Sequence, residues 1–224
     1  MTSSSLIFTY YLQANSLKLY RFILLSISFF FTYTTSIAQN TTPNNSSEFS
    51  YTKFEYGNIV TTHALKYTLK TPKGFTGITP YNFKAVYNKH PFNVSIATII
   101  SKDVFIMISA EKVTDSSGIL DYSYHKPVRL SGEYFYMKDD CVPLTPEIMK
   151  EAKDLKYIEE KGFDFGSAIY IRHYFKNTSD GTYEYVLNYG ERVSDCSAKT
   201  IDRKFMKRFN KKIIKSVNLT AIKQ

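Results

Sequence analysis

The chain has 224 residues, and its formal net charge of +9 is concentrated at one end: from Lys199 onward nine Lys and Arg oppose the single acid Asp202, which gives that tail +8. The length makes one domain with a sizeable core the default, and the local placement of charge excludes a uniformly basic fold. Beyond Ala38 no apolar run reaches the ~20 residues a spanning helix needs, which excludes a transmembrane anchor in the mature chain.

At the N-terminus Lys18 and Arg21 precede the apolar run 22–31, which leads into Ser36-Ile37-Ala38-Gln39. A positive region, a short hydrophobic stretch and small residues at the two peptidase positions are the parts of an export signal. The run is about half the length of a spanning helix, and Ser26 and Ser28 dilute it further. Residues 1–38 are therefore expected to be a signal peptide cleaved after Ala38, with the product secreted or periplasmic. Residues 1–16 exceed what such a signal needs, so a start at Leu17 or Leu19 is expected to suffice. Residues 39–48 are polar, free of aliphatic side chains, and read as a linker; a single folded domain is expected over 49–224.

In chain order, Leu65–Lys70 alternates with period two and reads as a strand stopped by Thr71-Pro72-Lys73-Gly74. Val94–Ile100 and Val104–Ser109 are β-rich runs separated by Ser101-Lys102-Asp103, so an antiparallel hairpin is expected. Asp115–Gly118 reads as a loop tip and Glu133–Met137 as a strand. Ala168–Phe175 and Thr182–Tyr189 flank Asn177–Gly181, whose Asp-Gly pair supplies the positive φ a tight turn requires. The abundance of tyrosine, 19 residues, fits half-buried sheet surfaces more simply than a ligand-stacking stripe.

Thr145-Pro146-Glu147 is a helix start, with Thr as cap, Pro at the first position and Glu favoured by the helix dipole. Ile148, Met149, Ala152, Leu155 and Ile158 or Tyr157 then share a face, and Gly162 ends the helix. A second helix is expected from about Thr200 to Val217. The fold class these elements predict is α+β: an antiparallel sheet with two main helices, the C-terminal amphipathic one packed on the sheet.

In that last helix Ile201, Phe205, Met206, Phe209, Ile213 and Val217 fall in one arc of roughly 160°, and Lys204, Lys207, Arg208, Lys211, Lys212 and Lys215 take the other side. The simplest reading is a core helix with a solvated basic face. The alternatives are a packed helix that presents its cations to an anionic envelope component or acidic protein, and a helix that detaches into a membrane interface with Phe205 and Phe209 as anchors. Export argues against nucleic acid as partner.

Cys141 and Cys196 are an even pair in a chain bound for an oxidising compartment, and a disulfide is expected. The rival is a catalytic thiol at Cys141, for which Asp139-Asp140-Cys141-Val142-Pro143 offers no local signature. The histidines His63, His90, His125 and His173 are scattered without metal-ligand spacing, so neither metal nor cofactor is expected. Asp139 and Asp140, with Glu147, could act as paired acids; a solvated loop ahead of the helix is the simpler placement. His173, in strand phase with Ile169 and Ile171, reads as a hydrogen-bonded core histidine.

The strand ending Thr71-Pro72-Lys73-Gly74-Phe75, the hairpin-rich middle and the terminal pattern Phe209, Ile213, Ser216-Val217 together resemble the PsbP-like family of small exported α+β domains, over roughly residues 60–219. Phe75 stands where that family often has Trp, and no functional residue transfers. The resemblance implies an accessory binding or assembly role. The signal ending Ile37-Ala38-Gln39, with Asn, Lys, Ile and Tyr abundant, is similar to exported proteins of Bacteroidota-type bacteria. The expected function is thus a non-catalytic exported binding or accessory module with an unidentified protein or anionic envelope component as partner. The alternative is a secreted hydrolase with its site near Asp139, Asp140 and Cys141.

Overall fold

The computed structural model describes residues 48–87, 89–115 and 121–222. The expected signal peptide, residues 39–47 of the expected linker, and residues 116–118 of the expected loop tip lie outside the described residues. The strands are β1 (Thr52–Glu55), β2 (Asn58–Thr61), β3 (Tyr67–Lys70), β4 (Thr76–Tyr87), β5 (His90–Ile100), β6 (Val104–Val113), β7 (Lys126–Leu130), β8 (Glu133–Pro143), β9 (Ala168–Asn177), β10 (Tyr183–Val193) and β11 (Asn218–Ala221). The helices are α1 (Pro146–Glu151), α2 (Lys153–Glu160) and α3 (Arg203–Ser216).

Sheet dominates the described residues, of which 51% are strand against 17% helix, and this overturns the expected α+β class. Part of the reason lies in the first helix, which breaks at Ala152 into pieces of 6 and 8 residues. The larger part lies in strands that carry turn residues within or beside them. β4 runs through Gly77 and Pro80 and keeps its pairing to β5 by a register shift between Ile78 and Tyr81, the bulge that lets an edge strand tolerate Pro.

The large sheet is antiparallel throughout, in the order β4-β5-β6-β10-β9-β8-β7, and a small sheet has the order β1-β2-β3-β11. The hairpins β5–β6 and β9–β10 form as the alternation and turn residues dictate. Period-two alternation divides each central strand between two cores. Phe105 and Met107 of β6 join Ile169, Ile171 and Phe175 of β9 on one face, beneath Ala152, Leu155 and Ile158 at the α1–α2 junction and on α2. Val104, Ile106 and Ile108 join Tyr170, Tyr174, Leu187 and Tyr189 on the other, beneath α3 and the small sheet. The central strands are buried on both faces, so they read as continuous apolar runs.

Candidate functional site: the outer face of the terminal helix

Helix α3 starts where Asp202 accepts the Phe205 amide at 2.6 Å, an N-cap that satisfies one of the free donors of the first turn. Its inner stripe is Phe205, Phe209 and Ile213, continued by Val217, all buried. Phe209 lies edge-on to Tyr170 and Tyr189 with centroids 4.9 and 5.3 Å away, the T-shaped geometry aromatic quadrupoles favour.

Three devices fix this helix on the sheet. Cys141 of β8 is bonded to Cys196, with Cα atoms 5.6 Å apart, and so tethers the segment that leads into α3. Arg172 of β9 grips both oxygens of Asp139 on β8 at 2.6 and 2.7 Å and donates to Asn210 of α3 at 2.5 Å. Glu191 of β10, 4% exposed, accepts Arg208 and Lys212 of α3 on one oxygen, each at 2.9 Å. A detached helix would strand the Glu191 carboxylate and expose Phe209, so the interfacial alternative runs against both packing and charge.

These contacts sort the six basic candidates. Arg208 and Lys212 lean back to Glu191 and belong to the fold. Lys204, Lys207, Lys211 and Lys215 are exposed, and among the described residues none of them has an ion-pair partner. At 100° per residue they span an arc of about 80° opposite the buried stripe. Ile214, 81% exposed, stands at the edge of this arc beside Lys207 and Lys211. Sequence reasoning passed over Ile214 because it belongs to no apolar stripe; an aliphatic residue in the polar phase of a helix was the available signal.

The residues proposed for hydrolysis are not assembled into a site. Asp139 and Asp140 occupy strand β8, not a solvated loop, and alternation sends them to opposite faces of the sheet. Asp139 is committed to Arg172 and Cys141 to the disulfide. Asp140 lies 2.9 Å from Lys138 Nζ and 3.4 Å from His173 Nε2. Burial alone would raise the Asp140 carboxyl, but His173 and Lys138 outweigh it and hold it below the usual carboxylate range. His173 is 0% exposed, and its Nδ1 is bonded to Asn188 Oδ1 at 2.6 Å, so the imidazole is closed off from solvent while Asp140 beside it keeps 23% of its side chain exposed. Two surface hollows lie elsewhere: one of about 650 Å³ lined by Phe49, Lys84, Phe92 and Lys153, and one of about 400 Å³ at the start of α3 lined by Arg192, Thr200, Lys204 and Arg208. In the second, Arg192 is already held by Asp103 and Asp164.

Among the described residues no group of His, Cys, Asp and Glu has the geometry to hold a metal ion, and no helix is long and apolar enough to cross a membrane. Comparison with known proteins finds no family model, no curated protein and no solved structure that matches this chain.

Proposed function

We propose that this protein is an exported, non-catalytic accessory module that docks the outer face of α3 on an anionic lipid surface of the cell envelope. The observation that carries the reading is the stripe Lys204, Lys207, Lys211 and Lys215, exposed and uncompensated, with Ile214 projecting at its edge. Long-range attraction from such cations amounts to about 1 kcal/mol per Lys at an anionic surface. Partial burial of an aliphatic side chain among headgroups adds on the order of 1 kcal/mol. Together these give weak, reversible, salt-sensitive association. The export pattern of residues 1–38 and the disulfide support the same placement.

Co-sedimentation with vesicles tests the reading. The protein is expected to sediment with phosphatidylglycerol-containing vesicles at about 50 mM salt, to be released at about 500 mM as the Debye length contracts, and to ignore neutral phosphatidylcholine vesicles. Replacing Lys204, Lys207, Lys211 and Lys215 by Gln is expected to abolish sedimentation without changing the fold. Failure to sediment with anionic vesicles, or sedimentation unaffected by the four replacements, would remove the proposal; preferential binding of a soluble acidic polysaccharide would redirect it to that polymer.

A further inference from the structure

On the α2-covered face of the large sheet three carboxyl groups are sealed from solvent: Glu111 is 3% exposed, Glu184 1% and Asp154 0%. Glu111 of β6 sits directly opposite Glu184 of β10 in the ladder, so the two side chains rise from the same face with Cβ atoms about 5 Å apart. The Ser109 hydroxyl donates to Glu111 at 2.6 Å, and the Tyr122 hydroxyl, from the turn before β7, donates to Glu184. Asp154 descends from the first turn of α2, whose Lys153 lies over Phe83, the β4 residue in the same ladder row as Val94, Glu111 and Glu184. Its carboxyl looks toward the amides of its own turn but makes no bond of full hydrogen-bond geometry.

The surroundings supply little compensation. Val94 of β5 pairs with Glu111, and His173 of β9, bonded to Asn188 of β10, acts on Asp154. Tyr124 acts on Glu184 and His125 stacks on Tyr122, while His63, packed between Tyr51 and Tyr183, bonds the Glu184 carbonyl at 2.8 Å and not its carboxyl. The cations on this side are engaged elsewhere, Lys138 with Asp140 at 2.9 Å and Lys153 over the Phe83 ring. Adjacent carboxylates in a dry core cannot all ionise. Tyr122 stacks on Phe175 with centroids 4.6 Å apart, so the group that donates to Glu184 also pins its turn to the sheet.

We propose that Glu111, Glu184 and Asp154 form a proton-operated latch, which holds α2 and the Tyr122 turn on the sheet while the carboxyls are uncharged and slackens that layer when they ionise. Burial raises Glu111 and Glu184, each opposed by its hydroxyl donor and with a neighbouring carboxylate adding to the rise. Burial pushes Asp154 up to about 6, against the pull of its own helix amides and of His173. Folded values above the unfolded ones of roughly 4 mean that this stability is complete below pH ~4 and is lost as pH rises through the slightly acid to neutral range. His63 and His125, both lowered chiefly by burial, act in the opposite sense: their contribution is present above pH ~6.5 and lost as pH falls. The diagnostic quantity is therefore the difference between the wild type and a carboxamide variant.

Hydrogen exchange read by mass spectrometry on the full chain at pH 5.5 and 8.5, corrected for intrinsic chemistry, is the test. In the wild type, protection of residues 153–160 is expected to fall at least tenfold over that interval, while protection of 203–216 holds; roughly tenfold is what a single carboxyl contributes when its pKa is about one higher in the closed layer than in the open one. In Glu111→Gln the loss is expected to shrink severalfold. An equal loss in wild type and variant, or a loss spread evenly over both helices, would overturn the latch. Should the variant not fold, carboxyl-carbon NMR of the wild type decides: side-chain carboxyls that titrate above pH ~6 support the proposal, and titration of every carboxyl below pH ~5 overturns it.

Discussion

Replacing both Cys141 and Cys196 by Ala removes a cross-link between residues 55 apart in the chain. The chain-entropy relation for a loop of that size gives about 14 cal/mol/K, or about 4 kcal/mol at 25 °C. The folded state should change little around it, because Cys141 is paired in the β8–β9 ladder and α3 keeps its grip through Arg172 and Glu191. The loss is thus expected to come from greater freedom of the unfolded chain, with α3 still formed. Urea denaturation of the oxidised protein and the double variant measures it. The variant's midpoint should fall by an amount equivalent to about 4 kcal/mol, and melting should drop by roughly 8–16 °C for a domain of this size. A difference below about 1 kcal/mol, or two titratable thiols in the native protein, would refute the reasoning.

Other outcomes follow from single contacts. Phe209→Ala empties a site that is 0% exposed between α3 and the sheet and should cost about 3–5 kcal/mol in chemical denaturation. Gly190→Ala would drive a Cβ into the Phe105 ring, so a loss of about 1–3 kcal/mol is expected, with partial recovery in the Phe105→Leu background. Because Asp140 is held low by His173 and Lys138 against its burial, its contribution is complete above pH ~4 and lost as pH falls below that. Asp140→Asn should therefore be less stable than wild type at pH 7 and show a flatter acid limb in thermal melts taken between pH 5 and 2.

Local signals revealed the parts whose cues are local. The polar break Ser101–Asp103 and the Asp180-Gly181 turn mark the two central hairpins, and Thr145-Pro146 marks a helix start that the structure retains, with Thr145 accepting the Ile148 amide at 3.4 Å. What escaped were β1, β2, β4, β7, β11 and the part of β8 beyond Met137, strands whose pairing overrides their composition. β1 and β2 join through Tyr56 and Gly57, and β7 and β8 through Ser131 and Gly132, each pair with positive φ at both residues; only the Gly of each pair advertises such a turn. β11 is four residues of small sheet appended to a helix, and nothing in Asn218–Ala221 alone announces it. Asp139 and Asp140 read as loop because adjacent acids are poor strand formers, yet Arg172 on one face and Lys138 with His173 on the other satisfy them. The carboxyl cluster was hidden by distance, since Glu111 and Glu184 meet only through the β6–β10 ladder. Its trace in sequence is an acid in the apolar phase of each strand, Glu111 in step with Phe105 and Met107, and Glu184 in step with Val186.

The chain contains no tryptophan, so Ile214→Trp places a single fluorescent reporter at the edge of the lysine stripe on α3. On adding phosphatidylglycerol-containing vesicles at low salt the emission should shift to the blue, revert when salt is raised, and stay unchanged with phosphatidylcholine vesicles. An emission maximum that remains at its aqueous position with anionic vesicles would contradict the claim that this face meets a membrane.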